Sequence, residues 1–556
     1  MATKKLLILF SILMSMFCTR AMAYDIAVKN ADSVTIYYNY INDKKDLEVT
    51  YETTHYDCYS GSVVIPEEVN YKKRTWKVTR IGYNAFRDCT GLTSVTIPGS
   101  VKSIEHCAFH SCTGLALVTI PSSVTSMGSW VFFGCTGLTS VTIPSSLISA
   151  GRSIFSDCPG LTSLSVEEGN PVFDSRGNCN AIIETATNTL YAGCKNTVIP
   201  GSVTSIGTDA FRGCSSLTSL TIPNSVTVIE NGAFRDCIGL TSLTIPNSLT
   251  SIEGFAFDGC TGLTSLTIPN SVTGIRFNAF SNCLGLTSIS VENDNTVYDS
   301  RDNCNAIIES ATNTLVIGCK NTVIPGSVTS LGIKAFAGCS GLTSVTIPSS
   351  VKSIGSEAFE ACTGLTSVTI PYGVKEIECF VFQNCTNLTS VTIPNSVKKI
   401  GADAFFGCHQ LKSVTIPNSV KSIEQAAFSC TGLTSVTIPH GVKKIDGFAF
   451  DSCTGLTSVT IPPGVTKIDY QAFIHCTGLT SVTIPNSVTR IIGLAFAYCD
   501  SLKDVYCYAK ETPLTSADAF LDSPISTATL HVPAASVKKY KATMPWKLFG
   551  TIVAIE

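Results

Sequence analysis

One pattern of apolar and polar positions runs along most of the chain. In Leu92-Thr93-Ser94-Val95-Thr96-Ile97-Pro98 the apolar side chains are Leu92, Val95 and Ile97. Period-two alternation predicts a strand with Val95 and Ile97 facing inward and Ser94 and Thr96 outward. Pro98 ends the strand by withdrawing a backbone donor. Val101 and Ile104 turn back inward, and Ala108-Phe109 completes a coil. The pattern returns with prolines at Pro98, Pro121 and Pro144, at Pro200 to Pro269, and at Pro325 to Pro485, stepping by 23 residues apart from one step of 22 and two of 56. Such a period predicts a β-rich solenoid of about 16 coils, each burying its apolar side only against its neighbours. Stacked at the spacing of paired strands, roughly 4.8 Å, identical residues form internal ladders of Leu, Val, Ile and Phe. Ser and Thr form an external ladder. No segment has helical periodicity, so at most a single turn is expected at each Ala-Phe pair.

The ends depart from the template. Lys4 and Lys5, the apolar run to Cys18 and Ala21-Met22-Ala23 predict a secretory signal peptide over residues 1–23, cleaved near Ala23. No later run is long enough to cross a bilayer. Residues 24–78 alternate with aromatic and β-branched residues and predict an N-terminal β cap, which the first coil needs to cover its open edge. The repeats occupy 79–502, and 503–556 form a C-terminal cap with Trp546 and Phe549 over the last coil.

The two long steps carry matching inserts near 167–197 and 292–322, set 125 residues apart. Each predicts a hairpin, turning near Thr187-Asn188 and Thr312-Asn313. Pairing Ile183 with Leu190 would place Cys179 opposite Cys194, and likewise Cys304 opposite Cys319, as candidate disulfides. Equally, Cys194 stands six residues before Pro200, as Leu92 stands before Pro98, and would fill the leucine slot. Sixteen of the 25 cysteines, from Cys89 to Cys499, occupy one repeat position. Ladder side chains run parallel, which is poor disulfide geometry, so these are expected to pack as small hydrophobes.

The charged fraction is 14% and the formal net charge −3, so nothing would neutralise a nucleic-acid backbone. His106, Cys107, His110 and Cys112 have a metal-like composition, but Cys112 and Phe109 are core positions and the four cannot converge. No nucleophile elbow, P-loop or dinucleotide fingerprint is present. The reading is a non-enzymatic protein without cofactor or metal. The candidate binding face is the outward ladder Ser344, Thr346, Ser367, Thr369, Ser390, Thr392, Ser413 and Thr415. A row from Lys352 to Arg490, flanked by acidic residues such as Glu424 and Asp469, reads as a solvated edge with weak pairs.

The template Leu-x-x-Val-x-Ile-Pro-x-x-Val-x-x-Ile-x-x-x-Ala-Phe-x-x-Cys resembles the treponemal-type leucine-rich repeat. With its aromatic cap and Cys-Asn-Ala-Ile-Ile-Glu inserts, the chain resembles the BspA-like surface proteins of Bacteroidetes-type bacteria. That resemblance implies a curved, non-enzymatic solenoid on the cell surface, an adhesin or scaffold toward host matrix proteins or other cells. A glycan-binding surface protein and a structural coat protein are the alternatives.

Overall fold

The structure is a computed structural model that describes residues 24–52 and 58–555; the expected leader, 1–23, lies outside them. The chain is a β-solenoid of about 21 turns with a period near 23 residues. The count exceeds the expected 16 because caps and inserts, though off the template, also wind as turns. Gly61–Val64 pairs in parallel with Leu92–Thr96, and Thr529–Pro533 with Thr551–Ile555. The chain falls into two compact units, Met1–Leu240 and Thr241–Glu556.

In the first unit, Ile26–Lys29, Thr35–Ile41 and Asp46–Thr50 form an antiparallel meander. Arg74–Ile81 pairs in parallel with Asp46–Thr50 on one side and with Ser103–Ile104 on the other. The cap thus hands its sheet edge directly to the coils, leaving no open edge there. The main column runs through Leu92–Thr96, Leu117–Val118, Ser140–Ile143 and Ser163–Val166, all parallel. In the insert, Phe173–Asp174, Ala181–Glu184 and Thr189–Gly193 pair antiparallel, and Thr189–Gly193 then joins Ser205–Ile206 in parallel.

The second unit repeats that insert with Tyr298–Asp299, Ala306–Glu309 and Thr314–Gly318. Its outer column is not the continuous ladder the sequence predicts. Strands pair as Ser367–Thr369 with Ser390–Thr392, and again from Ser458–Thr460 to Thr551–Ile555. Residues 343–347 and 412–416 are extended without strand pairing. There the threonine before each serine ties coils together: Thr366 Oγ1 donates to the Thr343 carbonyl at 3.3 Å, and Thr434 Oγ1 to that of Lys412 at 3.2 Å.

The core is a set of ladders. Phe336, Phe359, Phe382, Phe405, Phe428, Phe450, Phe473, Phe496 and Phe520 stack in sequence, centroids 5.1–5.7 Å apart. That is offset stacking, the arrangement the ring quadrupole favours. The corner carrying each phenylalanine from Phe336 to Phe496 has two residues in the left-handed region, such as Glu357 and Ala361, Phe380 and Asn384, or Asp403 and Gly407. Alternate amides there bond to the next coil: Glu357 N–H to Cys379 O, Phe359 to Val381 and Ala361 to Gln383, at 2.8–3.1 Å. Left-handed backbone thus turns the corner without orphaning buried donors.

The cysteine column does more than fill space. The Cys362 thiol donates to the Phe336 carbonyl of the preceding coil at 3.1 Å, Cys385 to Phe359 at 3.1 Å and Cys408 to Phe382 at 3.2 Å. The same bond links Cys112 to Phe86 and Cys135 to Phe109 in the first unit. Cysteine is the small apolar side chain that still carries a donor. Burial pushes Cys385, Cys453 and Cys499 up to about 12, so they hold little reactive thiolate.

Candidate functional site

The outward positions follow from strand alternation. Val368 and Val391 are buried between Ser367 and Thr369 and between Ser390 and Thr392, whose side chains are exposed. Register is one to one: Ser367 opposite Ser390, Val368 opposite Val391, Thr369 opposite Thr392. Ser344, Thr346, Ser413 and Thr415 are exposed too, but on unpaired extended chain. Paired strands therefore join the middle four of the eight predicted face residues, while the outer four flank them. Thr366 and Thr389 spend their hydroxyls on carbonyls of the preceding coil. The candidate face keeps its hydroxyls turned to solvent, each able to donate and to accept.

Three lysines of the row are ion-paired. Lys399 meets Glu424 at 2.9 Å, and Lys444 and Lys467 both meet Asp469, at 2.8 and 2.9 Å. Burial opposes ionisation of Asp469, but hydrogen bonds from the two lysines outweigh it and hold the carboxyl down to about 2. A depressed carboxylate stabilises the fold above its unfolded value, near 4, and the contribution is lost as pH falls through about 2. The lysines are partly exposed, so solvent screening limits the effect to less than about 1 kcal/mol. Asp469→Asn should lower the melting temperature slightly at pH 7 and lose that penalty by pH 2. An equal difference at both pH values would contradict this.

The insert cysteines sit at core positions. Cys194 is buried in the slot that leucine fills elsewhere and packs in the first unit's core. A bulge between Ile182 and Ile183 shifts the register, so that Ile183 faces Leu190 but Ala181 faces Gly193, and pairing ends there. This slip takes Cys179 out of line with Cys194. The Cys179 thiol donates to Ala181 O and the Cys194 thiol to Asn180 O. Cys304 and Cys319 repeat this, and all four are free, buried thiols. One carboxylate in each insert is engaged by arginine: Asp174 with Arg176 at 2.6 Å, and Asp299 with Arg301 at 2.5 Å.

The histidine cluster diverges. His106 accepts from the Ser129 N–H, His110 lies on the Phe133 ring and bonds Ser111, and Cys112 points to Phe86 O. Burial lowers the His110 pKa, with the nearby Arg87 charge acting the same way. Sequence reasoning missed the left-handed corner residues. Their signal was the recurrence of Asn, Asp and Gly at those positions, as in Asn384, Asp403 and Gly407.

Among the described residues, no helix is long and apolar enough to cross a membrane. The family model described as "BspA type Leucine rich repeat region (6 copies)" matches residues 50–181, 184–307, 313–431 and 421–541. Comparison with curated proteins gives no match. Among solved structures, a leucine-rich repeat protein from Bacteroides ovatus is 30% identical, covering 70% of this chain and 94% of its own, with a TM-score of 0.36. A leucine rich cell surface protein from Faecalibacterium prausnitzii is 24% identical, covering 86% and 94%, with a TM-score of 0.31. A leucine-rich repeat protein from Eubacterium ventriosum is 19% identical, covering 75% and 97%, with a TM-score of 0.35. With the repeat model matched along nearly its whole length, the chain belongs to the BspA-type leucine-rich-repeat family.

Proposed function

We propose that the protein is an exported, non-enzymatic cell-surface scaffold that binds other proteins through the hydroxyl-bearing face centred on Ser367, Thr369, Ser390 and Thr392. The observation that carries this reading is the outward set of serine and threonine side chains on a backbone fixed by buried valines. Such a face meets a large partner through many individually weak, uncharged contacts. Host matrix proteins and the surfaces of other cells are the partner class, as the family suggests.

The test is surface plasmon resonance of the purified chain over immobilised matrix proteins, mucins and glycans. A variant carrying Thr369→Lys, Thr392→Lys and Thr415→Lys serves as comparison. Desolvating three ammonium groups against a neutral contact costs more than about 1.4 kcal/mol, so binding should weaken about tenfold or more. Unchanged binding would move the contact off this face. Saturable binding to glycans alone would favour the glycan reading, and no binding anywhere would leave a structural coat protein.

A further inference from the structure

The two inserts are copies 125 residues apart, yet the space beneath them is filled differently. Under the first, Tyr191 packs on Phe173 with ring centroids 5.3 Å apart, and its hydroxyl donates to the Gly151 carbonyl. Only a cavity of about 10 Å³, too small for a guest, remains there. In the second copy Val316 stands in place of Tyr191 and Ala279 in place of Ile154. The equivalent space is a cavity of about 250 Å³, with Ala279, Phe280, Tyr298 and Val316 in its wall. Tyr298 does not refill it, because its hydroxyl is held by the Ile275 N–H at 3.0 Å.

The polar groups change in step. In the first copy Ser153 donates to the Asp209 carboxylate at 2.6 Å. Their counterparts are Asn278 and Lys334. Lys334 is drawn away to Glu357 and Glu360, at 2.8 and 3.3 Å. Asn278, in the cavity lining, keeps its Oδ1 buried and without a hydrogen-bond partner. With Val316 in place of Tyr191, the Arg276 carbonyl lacks the phenol that meets its counterpart at Gly151, and a guest that donates to it restores that bond. At the mouth, Phe277 and Ile333 are 64% and 56% exposed, where the first copy has Arg152 and Thr208. The second copy has therefore lost bulk inside, gained apolar surface at the rim and lost the hydroxyl that meets the Gly151 carbonyl in the first.

We propose that this cavity is a binding pocket for a phenol ring, seated where Tyr191 sits in the sister copy, with its hydroxyl donating to the Arg276 carbonyl, the counterpart of the Gly151 carbonyl that Tyr191 meets. An apolar cavity of about 150 Å³ already admits benzene, so the space here is sufficient. Two sources carry such a ring, a tyrosine side chain of a partner protein and a free small phenol. Only the first rests on the protein-binding reading above.

The test is isothermal titration of the purified chain with p-cresol, the tyrosine side chain as a free molecule. One saturable site is expected, with toluene, which lacks the hydroxyl, at least about tenfold weaker. Val316→Tyr should abolish the site while keeping or raising the melting temperature, since it fills the cavity as the first copy does. No saturable p-cresol binding at millimolar concentration, equal binding by Val316→Tyr, or a lower melting temperature for that variant would each overturn the proposal. A peptide, acetyl-Gly-Gly-Tyr-Gly-Gly-amide, separates the sources: tighter binding than p-cresol assigns a partner's tyrosine, and weaker binding assigns a free phenol. The lysine variant of the hydroxyl face should bind p-cresol as the parent does, so failure of one reading leaves the other standing.

Discussion

Phe382→Ala is expected to cost about 3–5 kcal/mol, the range for deleting a buried ring from a close-packed core. Phe382 is fully buried and sits between Phe359 and Phe405, 5.5 and 5.4 Å away. Both stacking partners would lose one face, and the neighbouring coils cannot collapse into the gap because each is held to the next by backbone bonds. The Phe382 N–H to Ala404 O bond, at 2.9 Å, is one of these. Because a repeat array couples only nearest neighbours, the damage should be local. Hydrogen exchange should show protection falling at Phe359, Phe382 and Phe405 and hardly changing at Phe473 and Phe496. A uniform loss across the second unit, or a cost under about 1 kcal/mol, would refute the ladder account.

Gly364→Ala should destabilise by roughly 3 kcal/mol, the upper end of overpacking costs. A Cβ there would stand 2.2 Å from the Ser340 carbonyl oxygen of the preceding coil, a backbone atom that cannot rotate away. The same approach recurs at Gly114, Gly285 and Gly478, at 2.6, 2.4 and 2.4 Å from a carbonyl oxygen. At these coils the glycine is favoured by the close approach of the preceding coil's carbonyl, whereas Asn387 and Gln410 hold the same repeat position in theirs. Gly326→Ala is the control: nothing lies within 4 Å of its Cβ, so melting should hardly move. Equal effects of the two substitutions would show that loss of glycine flexibility, rather than coil contact, sets the cost.

The ladders of Leu, Val, Ile and Phe were legible because strand alternation and a fixed period place identical residues over one another. Three things were not. The thiol-to-carbonyl bonds of Cys385 and Cys408 depend on where the preceding coil's phenylalanine carbonyl points, which spacing does not reveal. The register slip at Ile182 and Ile183 moved Cys179 off Cys194, because a single bulge undoes an alignment counted residue by residue. The interruption of the outer column around Ser344 and Ser413 also escaped notice, since those coils have the same side-chain pattern as paired ones. Of the candidate face, the exposure of its residues was readable and the extent of its strand pairing was not. The cavity under the second insert rests on Val316 and Ala279, two substitutions in an otherwise matching block.

The coil-to-coil contact has one more consequence. Successive coils largely repeat one donor surface on one side and one acceptor surface on the other: thiol toward carbonyl, ring toward ring. Coils that share these surfaces can therefore follow one another, and such coils can enter or leave the array without a new interface having to arise. The length of the hydroxyl-bearing face becomes an inherited variable, set by copy number and separable from the stability of each coil. Valency toward a partner could then change in a single genetic step.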